Sequence, residues 1–570
     1  MELPAISPWA ARLETVLNPS NWQAIQWPTA SPLFTVEMAP LKSLLTCSLS
    51  LFGSVYAGFA RREGHASSTS CSGPLVNVKN GTYRGTHSAE YDQDFFLGMR
   101  YAQPAERFQL SEPLNSTWEG ALPAKAYPPH CVGYGGDMVG YNVSEDCLFL
   151  NVIRPAGLDT TANLPVAVWI HGGGLYMGGS ADKRYNLSFI VQNSVEQGTP
   201  MIGVSLNYRL SAFGFLCGSE ALDAGITNNG FRDQRLALRW INENIAAFGG
   251  SPDKVTIFGE SSGAESVSAQ VLAYNASPWP PVLDGDFIAD FAHNQLVNGK
   301  FPRIPLLIGA NSDEGSAFGS GRGPNGGGVY TDEDMRYAIS NIIGPQAAEQ
   351  TGRTVDELIN ELMYVYPNIQ AVGIPTLDKW PVIQAGDVVA ASSGLQYRRT
   401  GALFGDLSVT SFLFIKQPLT DLLSSMHYSR RRSNIAWSNA GLPSYSFRFD
   451  VVVAGIPGFV GATHFQEVAF VFYNLNGDGY ATNPFANMSA AYPALAKTIS
   501  SAWINFVTVL DPNGRDGLDG PVWPVYNTTD GGGIGKEIVF DVGGSYVELD
   551  SWHAEGMNWM IENALPVFGS

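Results

Sequence analysis

Residues 255–263 read Val-Thr-Ile-Phe-Gly-Glu-Ser-Ser-Gly, a β-branched and aromatic run that drives into Gly-x-Ser-x-Gly and then into a helix-compatible segment. A serine between such glycines sits on a sharp strand-to-helix turn, where a side chain at either flank would crowd the backbone. The pattern alone is weak: with 62 glycines in 570 residues it arises by chance about once in two such chains. Context decides. Residues 164–170 (LPVAVWI) are a continuous apolar run, as a parallel strand buried on both faces requires, and they end in His171-Gly172-Gly173-Gly174. By itself a glycine triplet reads as a mobile turn. Upstream of a Gly-x-Ser-x-Gly turn it reads as a loop whose N–H groups can close on a developing alkoxide.

A serine on this kind of turn works with an acid and then a histidine, in that chain order. Residues 304–309 (IPLLIG) form a buried-strand pattern that breaks into Ala310-Asn311-Ser312-Asp313-Glu314-Gly315, which puts two carboxylates at a strand's C-terminal end. Beyond them stand only His427, His464 and His553. His427 lies in a basic run with Arg430, Arg431 and Arg432, which reads as a solvated surface, and His553 lies in a helix-like stretch near the C-terminus. His464 follows a strand-like segment (444–449) and a Gly/Pro-rich loop, where a base can be presented at a sheet edge.

The chain resembles the type B carboxylesterase/lipase family, which includes cholinesterases and secreted fungal lipases. The resemblance covers most of residues 71–550. It is carried by Glu145-Asp146-Cys147-Leu148-Phe149-Leu150-Asn151, the HGGG loop, Asn207-Tyr208-Arg209, Asp233-Gln234 with Ala237-Leu238 and Trp240, and Phe248-Gly249-Gly250. Gly259 to Gly263, Asp313-Glu314-Gly315 and Gly461-Ala462-Thr463-His464-Phe465-Gln466-Glu467 complete it. It implies an α/β-hydrolase fold, a mostly parallel central sheet flanked by helices. It also implies Ser261 as nucleophile, His464 as general base and acid, and Glu314 as the carboxylate orienting the imidazole, with Asp313 a mere neighbour. The N–H groups of Gly173, Gly174 and Ser262 would form the oxyanion hole, Glu260 and Glu467 would be acidic groups beside the site, and Cys131 and Cys147 would be paired. The implied reaction is acyl transfer from an ester through an acyl-enzyme, with no metal or organic cofactor. Residues 474–479 (NLNGDG) superficially match a calcium loop but have no Glu at the twelfth position, so they read as a tight turn.

A net charge of −19 and a pI near 4.8 speak against nucleic acid or an anionic membrane as partner. The expected partner is a small-molecule or lipid ester: short aryl or alkyl esters first, triacylglycerol as an extension, and choline esters only with a cation-binding aromatic site. Oligomeric state is not legible. Residues 38–60 begin with Met, carry one Lys, an apolar stretch and small-residue cleavage sites, and are too short and interrupted for a membrane span; they read as a secretory signal. Residues 1–37 then read as an extension foreign to the protein, and residues 61–570 as one hydrolase domain. Secretion fits the seven Asn-x-Ser/Thr sequons at Asn80, Asn115, Asn142, Asn186, Asn275, Asn487 and Asn527. Cys47 would leave with the signal, and Cys71 and Cys217 are open to pairing.

Two departures stand beside the matches. After the helix that follows Ser261, residues 277–285 are rich in Pro, Gly and Asp, with no strand before residue 304, where the family has one more strand. Omitting a central strand leaves a gap of roughly 4.8 Å with unpaired backbone groups on both sides, which endangers the reach of Glu314 to His464. Residues 409–425 (VTSFLFIKQPLTDLLSS) form an apolar insertion out of pattern. If both are real, the alternative to an esterase is a catalytically inert product; a further alternative is a cholinesterase-like binding or adhesion module.

Overall fold

The computed structural model describes residues 73–272, 291–407 and 427–568, apart from 516 and 530. The extension, the signal segment, Cys47, Cys71, Asn275, the 277–285 segment and the 409–425 insertion lie outside the described residues.

The apolar runs read as strands are strands, and they assemble into two sheets. The first comprises β1 (Thr86–Ser88), β2 (Gln93–Arg100), β3 (Phe149–Pro155), β4 (Leu164–Ile170), β5 (Ile202–Leu206) and β6 (Gly250–Gly259), in the spatial order β6-β4-β5-β3-β2-β1. β4 pairs parallel with both β5 and β6, while β3 and the strands beyond it run antiparallel. The second sheet comprises β7 (Leu306–Asn311), β8 (Ser444–Phe449), β9 (Lys536–Phe540) and β10 (Tyr546–Leu549) in that order, the first three parallel. Helices α1 (Leu187–Glu196), α2 (Asn229–Asn244), α3 (Ser262–Leu272), α4 (His427–Asn439) and α5 (Ala491–Val509) pack around them.

Among the described residues the break falls between β6 and β7, on either side of residues 273–290. Among the described residues neither strand has a ladder partner on its outer side, so each is an edge. Burial follows from this. β5 is buried throughout and β4 from Val166 to Ile170, as unbroken apolar sequence demands. β6 from Val255 to Gly259 and β7 from Leu306 to Gly309 are only half-buried, although their composition is equally apolar.

Side chains join what the backbone does not. One continuous core contains Trp169 of β4, Leu187 and Ile190 of α1, Phe447 and Phe449 of β8, Phe540 of β9, and Leu495, Ile499 and Ala502 of α5. The last three recur at i, i+4 and i+7, so α5 turns one stripe toward both sheets. Transfer of each large apolar side chain from water contributes about 1.5–3 kcal/mol.

Several residues that carried the family resemblance hold the scaffold. The Arg209 guanidinium and backbone N–H donate three hydrogen bonds of 2.7–3.0 Å to Asp233, which is fully buried in α2. Buried Asn151 donates to Ser180 Oγ (3.0 Å) and Ser205 Oγ (3.1 Å). Arg100 pairs with Asp146 and Arg107 with Glu145 near the disulfide. The 474–479 segment is a turn closed by Asn474, which exchanges bonds of 2.9 and 3.0 Å with the backbone of Asp478.

The basic run corrects the sequence reading. Arg430, Arg431 and His427 are buried, not solvated. Arg430 pairs with Glu537 and with Asp550 (2.7 Å), Arg431 with Asp550 (2.9 Å), and His427 Nε2 donates to the Asn311 carbonyl (2.9 Å). A buried charge is tolerable when it is paired and hydrogen-bonded, and here the partners, Glu537 in β9 and Asp550 just after β10, lie over a hundred residues downstream.

Candidate active site

The Gly-x-Ser-x-Gly turn connects β6 to α3. Ser261 is half-buried at φ 57°, the left-handed region that a sharp turn requires and a non-glycine residue rarely adopts. A Cβ at Gly263 would overlap the Ile170 carbonyl at the end of β4, and one at Gly259 would overlap the backbone of Gly263. Both flanking glycines are therefore fixed by close approach.

The HGGG loop leaves β4 beside this turn. A Cβ at Gly172 would lie 2.5 Å from the Glu260 carbonyl and 3.1 Å from Ser261 Cβ. The loop is held by Tyr208, whose hydroxyl donates to the His171 carbonyl (2.7 Å), and by the Leu175 N–H, which donates to Ser262 Oγ (3.1 Å). Among the described residues nothing accepts the N–H groups of Gly173 and Gly174, while Ser262 is the first residue of α3, where an N–H has no partner within the helix. These are the three donors expected of an oxyanion hole.

The second sheet supplies the acid and the imidazole. Glu314 follows β7 and His464 lies in the loop after β8. His464 Nδ1 is hydrogen-bonded to Glu314 Oε2 at 2.8 Å, and Glu314 Oε1 accepts the Asn311 N–H at 2.8 Å. The strand gap thus leaves Glu314 within reach of His464, because both residues belong to the second sheet. Phe318 packs edge-on against the imidazole at 5.0 Å. His427 and His553 stand elsewhere, the latter paired with Asp406 at 3.0 Å.

Across the break, His464 Nε2 lies 3.2 Å from Glu260 Oε1, near enough for an ion pair but not aligned for a hydrogen bond. Among the described residues no hydrogen bond joins Ser261 Oγ to His464. Glu467 completes the group through Asn311 Nδ2, 2.6 Å from its Oε2. Three carboxylates therefore surround one imidazole. Burial pushes Glu260 up to about 8, against the pull of His464, and pushes Glu467 up to about 7 with Glu314 adding to it. Burial pulls His464 down, but Glu260 first and Glu314 next outweigh it and hold the imidazole at about 10.

The structure pairs Cys131 with Cys147, and Cys217 has no disulfide partner among the described residues. Sequence reasoning missed how the loop between them is tied to the site. Asp137 in this loop pairs with Arg184 (2.7 Å), whose guanidinium lies 4.7 Å above the ring of Phe465, next to His464. Tyr134 stacks on Tyr176 at 5.6 Å beside the HGGG loop. No local sequence pattern announces either contact.

The carboxylesterase family model matches residues 72–278. The chain is 27% identical to the mouse (Mus musculus) cholinesterase over 551 residues, covering 80% of this chain and 82% of that one. It is 28% identical to an inactive carboxylesterase-like protein, VdtD of Byssochlamys spectabilis, over 76% of this chain and 82% of that one. The crystal structure of Aspergillus niger EstA superposes with a TM-score of 0.66 over 86% of this chain and 99% of that one, at 22% identity, and this shows the α/β-hydrolase fold. The Gly-x-Ser-x-Gly turn and the HGGG loop both lie inside residues 72–278, the part that matches the carboxylesterase family, and the likenesses together support a carboxylic ester hydrolase.

Proposed function

We propose that the chain hydrolyses small-molecule or lipid esters through an acyl-enzyme on Ser261. Ser261 Oγ attacks the ester carbonyl as His464 takes its proton, and the Gly173, Gly174 and Ser262 N–H groups receive the oxyanion. His464 returns the proton to the leaving alcohol, then activates the water that releases the acid. Glu314 orients the ring. The observation that carries this reading is the 2.8 Å Glu314–His464 bond beside a left-handed serine turn. The competing reading, a non-catalytic module, draws on the open edge of β6 and the missing Ser261–His464 bond. Hydrogen bonds of this kind often tighten only when substrate binds. Hydrolysis of p-nitrophenyl acetate and butyrate by the chain and its Ser261→Ala variant tests the proposal: activity that survives in the variant, or is absent from the folded parent, sinks it.

The imidazole must be neutral to act as base. His464 is raised, so its protonated form prevails at pH 7 and the base form grows as pH rises; kcat/KM is expected to climb between about pH 7 and 10. The carboxylates titrate with it as a set. Glu260→Gln removes the largest charge that raises His464, so the climb should move toward lower pH. A profile already flat at pH 7, or one that the substitution moves upward, contradicts this assignment.

Secretion belongs to the same proposal, and the sequons give it a readout. Asn115, Asn142 and Asn487 are exposed, and Asn186 and Asn527 are half-buried. Asn80 is buried, with its amide donating to the Leu114 (2.8 Å) and Ser116 (3.0 Å) carbonyls, so a glycan there would break both bonds. Expression through a eukaryotic secretory pathway should give a protein whose mass falls on endoglycosidase treatment, with occupancy at Asn115, Asn142 and Asn487 and none at Asn80. An unchanged mass would count against secretion.

A further inference from the structure

Asp313 precedes Glu314, and nothing in the sequence marks it as more than a neighbour. In the structure it grips the histidine loop. Its N–H donates to the Ala462 carbonyl (2.9 Å) and its Oδ2 accepts the Ala462 N–H (2.7 Å), two residues before His464. Gly461, at φ 70°, makes room for this grip, because a Cβ there would overlap Asp313 Oδ2. The dipeptide Asp313-Glu314 therefore holds the loop twice, once by main chain and once by the ring.

The same Oδ2 accepts Lys379 Nζ at 2.9 Å, and Asp313 Oδ1 has no hydrogen-bond partner among the described residues. Lys379 Nζ also pairs with Asp450. Asn311 and Phe449 are in register on β7 and β8, so the two carboxylates leave adjacent parallel strands at the same end. Their side chains are 0% and 17% exposed, and the Lys379 side chain between them 9%. Two charges so placed repel unless a cation lies between them. Arg448 does not replace it: it lies 3.7 Å from Asp450, donates to Ser312 Oγ (2.6 Å) and is engaged by Glu548 (2.8 Å). Arg398 acts on Asp313 through space and donates to the Trp380 and Pro381 carbonyls. Lys379 is seated by its own segment, since its N–H donates to the Thr376 carbonyl (3.1 Å), and neighbouring Trp380 packs edge-on against Phe459 of the histidine loop at 5.5 Å.

We propose that Lys379 is a positioning residue for His464, acting through Asp313; this rests on His464 being the base of ester hydrolysis. Without the ammonium, Asp313 loses one of the two side-chain bonds on its only engaged oxygen while Asp450 repels it. The Ala462 grip loosens, and the imidazole drifts from the serine.

The test measures kcat, KM and pH dependence for p-nitrophenyl butyrate with Lys379→Met, Lys379→Arg, Gly461→Ala and Ser261→Ala, alongside thermal unfolding. Lys379→Met is expected to lower kcat about 10- to 100-fold, the order of loss that a misplacement near 1 Å produces, with KM changed less than about threefold. Its acid limb should move to higher pH, because the carboxylates left behind favour the imidazolium. Lys379→Arg should recover most of the rate. Gly461→Ala should reproduce the kcat loss with every charge intact, and it decides the matter if Lys379→Met does not fold. A Lys379→Met kcat within about twofold of the parent while Ser261→Ala is dead overturns the inference alone, as does an unchanged kcat in Gly461→Ala. An active Ser261→Ala overturns the inference together with the reading beneath it.

Discussion

Replacing Ser261 with alanine is expected to lower kcat/KM for p-nitrophenyl butyrate by roughly 10⁴- to 10⁶-fold while leaving the unfolding temperature nearly unchanged. The loss corresponds to about 5–8 kcal/mol of transition-state stabilisation. It is this large because the hydroxyl is the only atom of the residue that the chemistry uses, and no neighbour can replace it: Ser262 Oγ is buried and accepts from Leu175. Stability should hold because the turn needs a small residue at φ 57°, and alanine adds no clash there. A drop of less than about tenfold would mean that hydrolysis proceeds elsewhere on the protein.

Glu314→Gln is expected to lower kcat by about 10³- to 10⁴-fold with KM changed little. The carboxylate receives the Nδ1 proton of His464 on Oε2 and the Asn311 N–H on Oε1, so the ring is locked in the tautomer that leaves Nε2 free. An amide keeps the volume but can turn its NH₂ toward Nδ1, which selects the wrong tautomer and exposes the serine to a donor in place of an acceptor. It also removes one of the charges that raise His464, so the residual activity should show an acid limb displaced to lower pH. Steady-state kinetics from pH 6 to 10 read both effects. Wild-type kcat in this variant would mean that Glu314 does not set the tautomer of the ring.

How much was legible depended on the distance over which each cause acts. The runs 164–170 and 444–449 are strands with the boundaries expected, and the third run begins at Leu306 rather than 304, because their apolar character is written in consecutive residues. The serine turn was legible for the same reason: both glycines and the preceding strand lie within nine residues. Chain order and elimination lead to His464 and to the pair Asp313-Glu314, and within that pair only the family resemblance points to Glu314. The break in the sheet could be seen as a missing segment, but the survival of the Glu314–His464 bond could not, since that depends on both residues belonging to one side of the break. The arginine run was misread because its counter-ions, Glu537 and Asp550, lie far outside any local window. Asp313 and Lys379 were illegible in the same sense. Their contact joins the end of one strand to an irregular stretch 66 residues on.

The partition of strands between the sheets has a consequence for synthesis. All of β1–β6 lies between Thr86 and Gly259, and all of β7–β10 between Leu306 and Leu549, so among the described residues the two sheets are consecutive blocks of sequence with no strand exchanged. A chain emerging from the ribosome N-terminus first can complete the earlier sheet, serine turn included, before the first strand of the later one exists. The later sheet can then dock onto the finished earlier one through the side-chain core they share. The order of translation then sets the order in which the proposed reacting groups are made, Ser261 before His464.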